Sequence, residues 1–318
     1  MTKLILICSI LLNTFGFSGQ SANIDKNIVS NVAGNQQQVS ASDSDFVLPE
    51  ISSYPIVDQD SAQALIYAKN YILIDGVSGA TLKEKQSDVQ VPIASTTKIM
   101  TAVVALENYN LDDVVTISPE AANQIGATAN LRIGEKMTVL NLLKCMLIKS
   151  ANGAADALAE NMNISGETGY SKFVNEMNKK AKSLGMMNTK YNDPAGLDVT
   201  GYSSAYDLAI ITKYALRNET FASIVITKTE SVKDVTGNIW HLLENSNRLV
   251  REWDYPGAIG VKTGYMPEAG HCLVGAARRD EHILIAVILN TNADTPSASA
   301  EEARKILDWG FGNVTWVD

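Results

Sequence analysis

The chain has 318 residues but only three histidines, His241, His271 and His282, and no pair of them has a metal-sharing spacing. A metal site is therefore not supported, and no cofactor is expected. No G-x-S-x-G run occurs, so a histidine-dependent triad is the weaker reading of any serine chemistry. No long lysine/arginine block occurs either. With a formal net charge of −9, this argues against nucleic acid as a partner. Cysteine is as rare as histidine. Cys8 lies in an N-terminal apolar stretch. Cys145 sits within Leu142–Leu147, and Cys272 opens Cys272-Leu273-Val274, so both read as small buried residues. A disulfide between them is the alternative in an oxidising compartment. Internal repeats are absent. What remains is a chain of ordinary apolar and charged content, long enough for one large domain or two smaller ones.

The N-terminus reads as a signal peptide over 1–22. Lys3 supplies the positive charge, Leu4 to Phe17 the apolar stretch, and Ser18, Gly19, Ser21 and Ala22 the small residues. No clean A-x-A site appears, so cleavage is placed between Gly19 and Ala22, with an uncleaved N-terminal tether as the alternative. Lipidation at Cys8 is rejected, because bulky Ile7 precedes it and the apolar run continues past it. Ser21 to about Tyr54 is rich in Ser, Asn, Gln and Asp, and residues 23–60 read as a flexible leader. A folded domain is expected over 61–312, followed by a short tail over 313–318.

Within the domain, the apolar runs of Ala62 to Ile74 predict a strand. Thr138 caps a predicted helix that ends at Ser150-Ala151-Asn152-Gly153, and a second helix is expected from Ala154 to about Met162. Tyr170 to Leu184 is predicted helical. Asp193 to Asp198 is a turn-rich loop, and Ser204 opens a helix reaching Leu216. Ala258 to Thr263 is a predicted strand. Leu273 to Arg278 and Ile283 to Asn290 form a hairpin about Arg279-Asp280-Glu281. A last helix starts at Thr295-Pro296 and reaches about Trp309. Strands at both ends with helices between them imply an α+β fold, one sheet closed by the termini with an inserted helical region.

Three runs carry the chemistry: Ser95-Thr96-Thr97-Lys98, Ser150-Ala151-Asn152 and Lys262-Thr263-Gly264. Each is weak alone. In this order they signal serine acyl transfer with lysine as the base. If Ser95 opens a helix, Lys98 lies one turn on, on the same face, within reach of the Ser95 hydroxyl. A lysine is a base only when neutral, and burial at a helix N-terminus favours the neutral form. Ile93 and Ala94 before the motif, and Ile99, Met100, Val103, Val104 and Leu106 after it, predict such burial. Ser150 and Asn152 fall on a tight connection between helices, which can aim side chains into a cleft. Lys262 beside the Thr263 hydroxyl suits a carboxylate. Gly264 removes a side chain where backbone must approach a ligand.

With the segments around them, these motifs resemble the D-alanyl-D-alanine carboxypeptidases, the low-molecular-mass penicillin-binding proteins. The resemblance covers about Ile66 to Phe311. It includes Pro92 to Ala102, Ser204-Ala205-Tyr206-Asp207-Leu208-Ala209, and Gly260 to Gly264 with Ala269 to Val274. Asn192 to Asp198 follows the family's N-P-x-G-L-D loop with Asp193 inserted. The resemblance implies a β-lactamase/penicillin-binding transpeptidase-like fold, an antiparallel sheet flanked by helices with an inserted helical subdomain. It implies peptidoglycan stem peptides ending in D-Ala-D-Ala as substrate and β-lactams as covalent inhibitors. It assigns Ser95 as nucleophile, Lys98 as its base, Ser150 as proton relay and Asn152 as holder of the substrate amide. Lys262 and Thr263 would bind the terminal carboxylate, and the Ser95 and Tyr265 N–H groups would form the oxyanion hole. Many members continue into a second β domain and an amphipathic C-terminal helix. Gly310 to Asp318 is too short for either, so no C-terminal membrane anchor is expected.

Three other readings stand beside this one. A β-lactamase needs a deacylation glutamate, and Glu160, Glu167 and Glu176 lie in no E-x-x-x-N loop. A peptidoglycan DD-endopeptidase shares every motif. A catalytically silent peptidoglycan-binding protein would be expected to have lost Ser95, Lys98 or Lys262, and all are intact.

Overall fold

Asn70-Tyr71-Ile72-Leu73-Ile74-Asp75 is buried at every position, as a strand is when both its faces are covered. The computed structural model describes residues 53–164, 167–291 and 295–317, and there this strand belongs to a five-stranded antiparallel sheet. Across the sheet the strands are Ala258–Met266, Gly270–Arg279, His282–Thr291, Asn70–Asp75 and Thr81–Lys85. Three strands come from the later part of the chain and two from its start, with the inserted helices between them and helix Ala298–Asn313 after them, which is the expected α+β arrangement.

The period of two along each strand sorts its side chains into two cores. Ile72, Ile74, Val274, Ile285 and Val287 belong to the core shared with the inserted helices. Tyr71, Leu73, Leu273, Leu284 and Ile288 pack with Ala303, Ile306 and Leu307 of helix Ala298–Asn313 on the other face. At the centre of the helical region, helix Lys98–Asn108 is buried from Lys98 to Ala105. It contacts helices Val139–Ile148, Asn152–Glu160, Tyr170–Ser183 and Ala205–Ala215. Two of these helices start where the sequence places a cap. The Thr138 hydroxyl accepts from Asn141 N at 3.2 Å, and that of Ser204 from Asp207 N at 3.1 Å.

The structure corrects several boundaries. Only Asn70–Asp75 of the expected 62–74 strand is ladder-paired. Ile66 and Ala68 are buried while Leu65 and Tyr67 face out, so the alternation is present. That segment instead runs beside helix Ala298–Asn313, where Tyr67 N donates to the Glu302 carboxylate at 2.8 Å. The folded part also extends past 61–312 at both ends. Tyr54–Val57, inside the expected leader, pairs antiparallel with Val314–Val317, inside the expected tail. The expected signal peptide and residues 23–52 of the leader lie outside the described residues.

Candidate active site

Ser95 sits in a 3-10 turn, Ala94–Thr97, that runs directly into helix Lys98–Asn108. The turn is strained, because Ala94 has φ +48°, a conformation that costs a non-glycine residue about 1–3 kcal/mol. Surrounding groups hold it there. Thr96 Oγ1 donates to Ile93 O at 2.7 Å. Glycines press on the turn from two sides. A Cβ on Gly196 would lie 2.0 Å from Ala94 O, and one on Gly264 would lie 3.1 Å from Ser95 N. Gly264 thus gives clearance to the nucleophile's own backbone as well as to whatever binds there.

Lys98 is among the largest fully buried side chains of the described residues. Its Nζ lies 2.8 Å from Ser95 Oγ, 2.7 Å from Asn152 Oδ1 and 2.6 Å from Ala195 O. The last two groups can only accept, since one is an amide oxygen and the other a carbonyl. A neutral amine has two N–H bonds and one lone pair. With both N–H bonds committed to Asn152 and Ala195, the lone pair is left for the Ser95 proton. Burial lowers the Lys98 pKa to about 7, against an opposing pull from Asp193 and Asp156. The neutral form is therefore substantially populated near neutral pH.

Each acceptor is itself held. Asn152 opens helix Asn152–Glu160, donates its Nδ2 to Ile125 O at 2.6 Å, and donates its backbone N–H to Ala127 O at 2.8 Å. Ala195 belongs to the loop that carries the inserted Asp193. The Asp193 carboxylate accepts from Ala195 N at 2.7 Å, Gly196 N at 2.5 Å, Leu197 N at 3.0 Å and Asp198 N at 2.7 Å. Pro194 O takes the Thr101 hydroxyl at 2.5 Å, which ties the loop to the Lys98 helix. Replacing Asp193 by Ala strands several of these amides. We expect a loss of about 2–4 kcal/mol, read from urea midpoints, with a smaller loss for Asp193→Asn.

Ser150 occupies the connection between helices at φ +65°, and the second helix starts at Asn152, two residues before the expected Ala154. Its hydroxyl accepts from Lys262 Nζ at 2.8 Å, and the same Nζ donates to Thr263 O at 2.9 Å. Lys262 is fully buried. Its pKa is pushed well below the usual lysine range by burial and then by Lys98. The Lys262 amine is turned toward Ser150 and is enclosed behind the cleft wall that carries Thr263. Thr263 does face the cleft, and its hydroxyl pairs with Ser246 Oγ at 2.7 Å.

The cleft has a volume of about 360 Å3 and is lined by Ser95, Ser150, Asn152, Thr263, Gly264 and Tyr265 among others, so six of the eight expected site residues line one space. Lys98 and Lys262 stand behind it. Tyr265 is 62% exposed and stacks on His271 with centroids 4.4 Å apart. Lys149, Arg248 and Arg251 also line the cleft, whereas no carboxylate among the described residues does. Both arginines pair with Glu252. Sequence reasoning missed Ser246, Arg248 and Arg251. They carry no recognisable spacing and reach the cleft only through the fold. Asp193 did leave a signal, an acidic residue at the head of a Pro- and Gly-bearing turn.

A Ser-x-x-Lys pair at a helix start, facing a Ser-x-Asn connection and a Lys-Thr-Gly strand, defines a serine acyl-transferring enzyme of the penicillin-binding class. Residues 57–293 match the family described as D-alanyl-D-alanine carboxypeptidase, and the chain belongs to that family. It is 39% identical over 250 residues to the D-alanyl-D-alanine carboxypeptidase DacF of Bacillus subtilis, covering 77% of this chain and 62% of that protein. The D-alanyl-D-alanine endopeptidase of Haemophilus influenzae is 32% identical over 246 residues, covering 76% of this chain and 82% of that one. The fold matches the crystal structure of the Streptomyces K15 DD-transpeptidase with a TM-score of 0.73 at 35% identity, over 79% of this chain and 99% of that one. The penicillin-binding fold expected from the sequence is the one present.

Proposed function

We propose that this protein removes the terminal D-alanine from peptidoglycan stem peptides through an acyl-enzyme on Ser95. We further propose that it acts on the outer side of the membrane, where that substrate lies, and that β-lactams acylate it. The observation that carries this reading is the Lys98 amine, held by Asn152 and Ala195 so that its lone pair faces the Ser95 hydroxyl.

The chemistry follows from that contact. The Ser95 proton passes to Lys98 Nζ as Ser95 Oγ bonds to the carbonyl carbon of the penultimate D-alanine. Backbone N–H groups of Ser95 and Tyr265 take the developing oxyanion. When the C–N bond breaks, the proton held on Lys98 returns to the leaving D-alanine nitrogen. Ser150, whose hydroxyl accepts from Lys262 and lines the same cleft, is the proposed relay. Water then attacks the ester with Lys98 again as base. Asn152 both positions Lys98 and presents its amide to the cleft. The substrate carboxylate meets the Thr263 and Ser246 hydroxyls, with Arg248 and Arg251 supplying positive charge.

The deciding assay is D-alanine release from a pentapeptide ending in D-Ala-D-Ala, with a cross-linked muropeptide as the competing substrate. Release from the pentapeptide is expected to dominate. Faster cutting of the cross-link would move the reading to an endopeptidase, and no release from either would overturn it. C-terminal amidation of the pentapeptide should slow the reaction, and the penalty should shrink in Arg248→Gln or Arg251→Gln. A penalty unchanged in both variants would remove the arginines from carboxylate recognition.

Penicillin should acylate Ser95 but leave slowly. Its leaving group stays tethered and blocks water, whereas D-alanine departs. No glutamate side chain that is described lines the cleft: Glu160 is engaged by the Ser118 hydroxyl at 2.6 Å, and Glu176 pairs with Lys179, while the Glu167 side chain lies outside what is described. Adduct decay as rapid as D-alanine turnover would place the protein with the β-lactamases.

A further inference from the structure

A second concavity, of about 270 Å3, opens between helix Ala205–Ala215 and the turn that follows strand Asn70–Asp75. It shares no lining residue with the Ser95 cleft. Ile74, Leu184 and Ile210 form its apolar wall, and Tyr206 and Tyr214 stand beside them. Its charged lining is Lys213 and Arg217 alone. These lie four residues apart at the helix end, a spacing at which like charges repel.

Both cations are partly withdrawn from water, and neither forms a salt bridge or side-chain hydrogen bond with a described residue. Burial and Arg217 hold the Lys213 amine below its usual range against an opposing pull from Asp75, and burial lowers Arg217 as well. The nearby carboxylates are occupied. Asp75 accepts from Val77 N, Ser78 N and Oγ, and Trp316 Nε1. Glu107 takes Lys180 at 2.6 Å and the Tyr214 hydroxyl at 2.7 Å. A Cβ on Gly79 would stand 2.8 Å from Lys213 Nζ, so the bare glycine leaves room for the ammonium against the turn. Among the described residues, the two partly desolvated, mutually repelling cations face only the Asp75 charge, which is not ion-paired to either, and a bound oxyanion would supply the second counter-charge through charge-assisted hydrogen bonds.

We propose that this second cleft binds a small organic oxyanion, a carboxylate or a phosphate, on a compact apolar body. Lys213 and Arg217 hold the oxygens, and the Ile74, Leu184 and Ile210 wall with the two tyrosines covers the body. The inference is independent of the reaction at Ser95.

The test is titration of isotope-labelled protein with benzoate, phenyl phosphate, inorganic phosphate and the neutral benzyl alcohol, following backbone amide resonances. At least one aromatic anion should shift amides at 74–79 and 206–217, with binding about tenfold weaker or worse in the Lys213→Met/Arg217→Met double variant. Binding of benzoate alone assigns a carboxylate source, and binding of phenyl phosphate alone a phosphate source. Penicillin acylation of the double variant at the wild-type rate would show that its fold is intact. The proposal fails if the double variant binds as tightly, or if benzyl alcohol or inorganic phosphate binds as well as the aromatic anions. It also fails if shifts are confined to the Ser95 cleft, or if none appear by about 10 mM.

Discussion

Penicillin treatment of the wild-type protein will add the mass of one penicilloyl group, and Ser95→Ala will add none. Peptide turnover should fall with it, by a factor on the order of 10⁶ if loss of the nucleophile costs what it does in other serine peptidases. Four serines line the cleft, and two of them, Ser95 and Ser150, lie against a buried lysine. Ser95 Oγ lies against an amine with a free lone pair, whereas Ser150 Oγ receives a hydrogen bond from the buried Lys262. Both N–H bonds of neutral Lys98 have acceptors other than Ser95, whereas Lys262 has, among the described residues, only Thr263 O besides Ser150 and keeps an N–H for that serine. Ser150→Ala should therefore still form the adduct, more slowly. Ser95 is half-buried, and its hydroxyl does not anchor the turn, so alanine should leave the fold intact. An adduct that survives Ser95→Ala, or that maps to Ser150, would overturn the assignment.

Lys98→Arg should lower the acylation rate by about 10²–10⁴, the usual worth of a positioned general base. A guanidinium remains protonated throughout the working range and has no lone pair to offer. Its larger head must also enter a fully enclosed site, so Lys98→Met is the companion variant, keeping the stem and losing the base. The two should fail alike. The pH profile gives a second measure. With Lys98 at about 7, the protonated, inactive form gains as pH falls, and kcat/KM should drop about tenfold per unit below that value. Asp193 and Asp156 oppose the burial effect by favouring the charged amine. Asp156→Asn removes one of those pulls and should slide the acid limb to lower pH. Asp156 is buried, and its own pKa is raised to about 6, chiefly by burial, so its influence should itself fade as acid is added. A limb that stays in place in Asp156→Asn would remove that carboxylate from control of Lys98. Near-normal acylation by Lys98→Met would remove Lys98 as the base.

Legibility differed between elements for identifiable reasons. The strands Asn70–Asp75, Gly270–Arg279 and His282–Thr291 announce themselves because both faces are buried and the apolar runs are unbroken. The hairpin Thr229–Lys233 with Trp240–Glu244 is hidden. It buries His241 and Leu243 while exposing Trp240 and Leu242, so its polar and apolar residues do not alternate with the faces. His241 is accommodated by a carbonyl and a carboxylate, with Nδ1 2.8 Å from Ala129 O and Nε2 2.6 Å from Glu135. Those partners lie more than a hundred residues away in sequence. The Tyr54–Val57 strand is hidden for another reason, because its only ladder partner is Val314–Val317 at the far end of the chain.

The sequence by itself determined which residues are candidates for the site. Ser95, Lys98, Ser150, Asn152, Lys262, Thr263, Gly264 and Tyr265 are recognisable as types in an order, and the i to i+3 step of one helical turn is enough to bring Lys98 to Ser95. Tertiary structure decided the state and the role of each charge. Whether a lysine is a base or a cation depends on desolvation and on what its hydrogens meet, and both come from distant segments. Asn152 and Ala195 make Lys98 a base. Ser150 and the covered strand enclose Lys262 and turn its amine toward the Ser150 hydroxyl. Arg248 and Arg251, without any motif, join Lys149 at the cleft, because the chain that carries them packs against the edge strand Ala258–Met266.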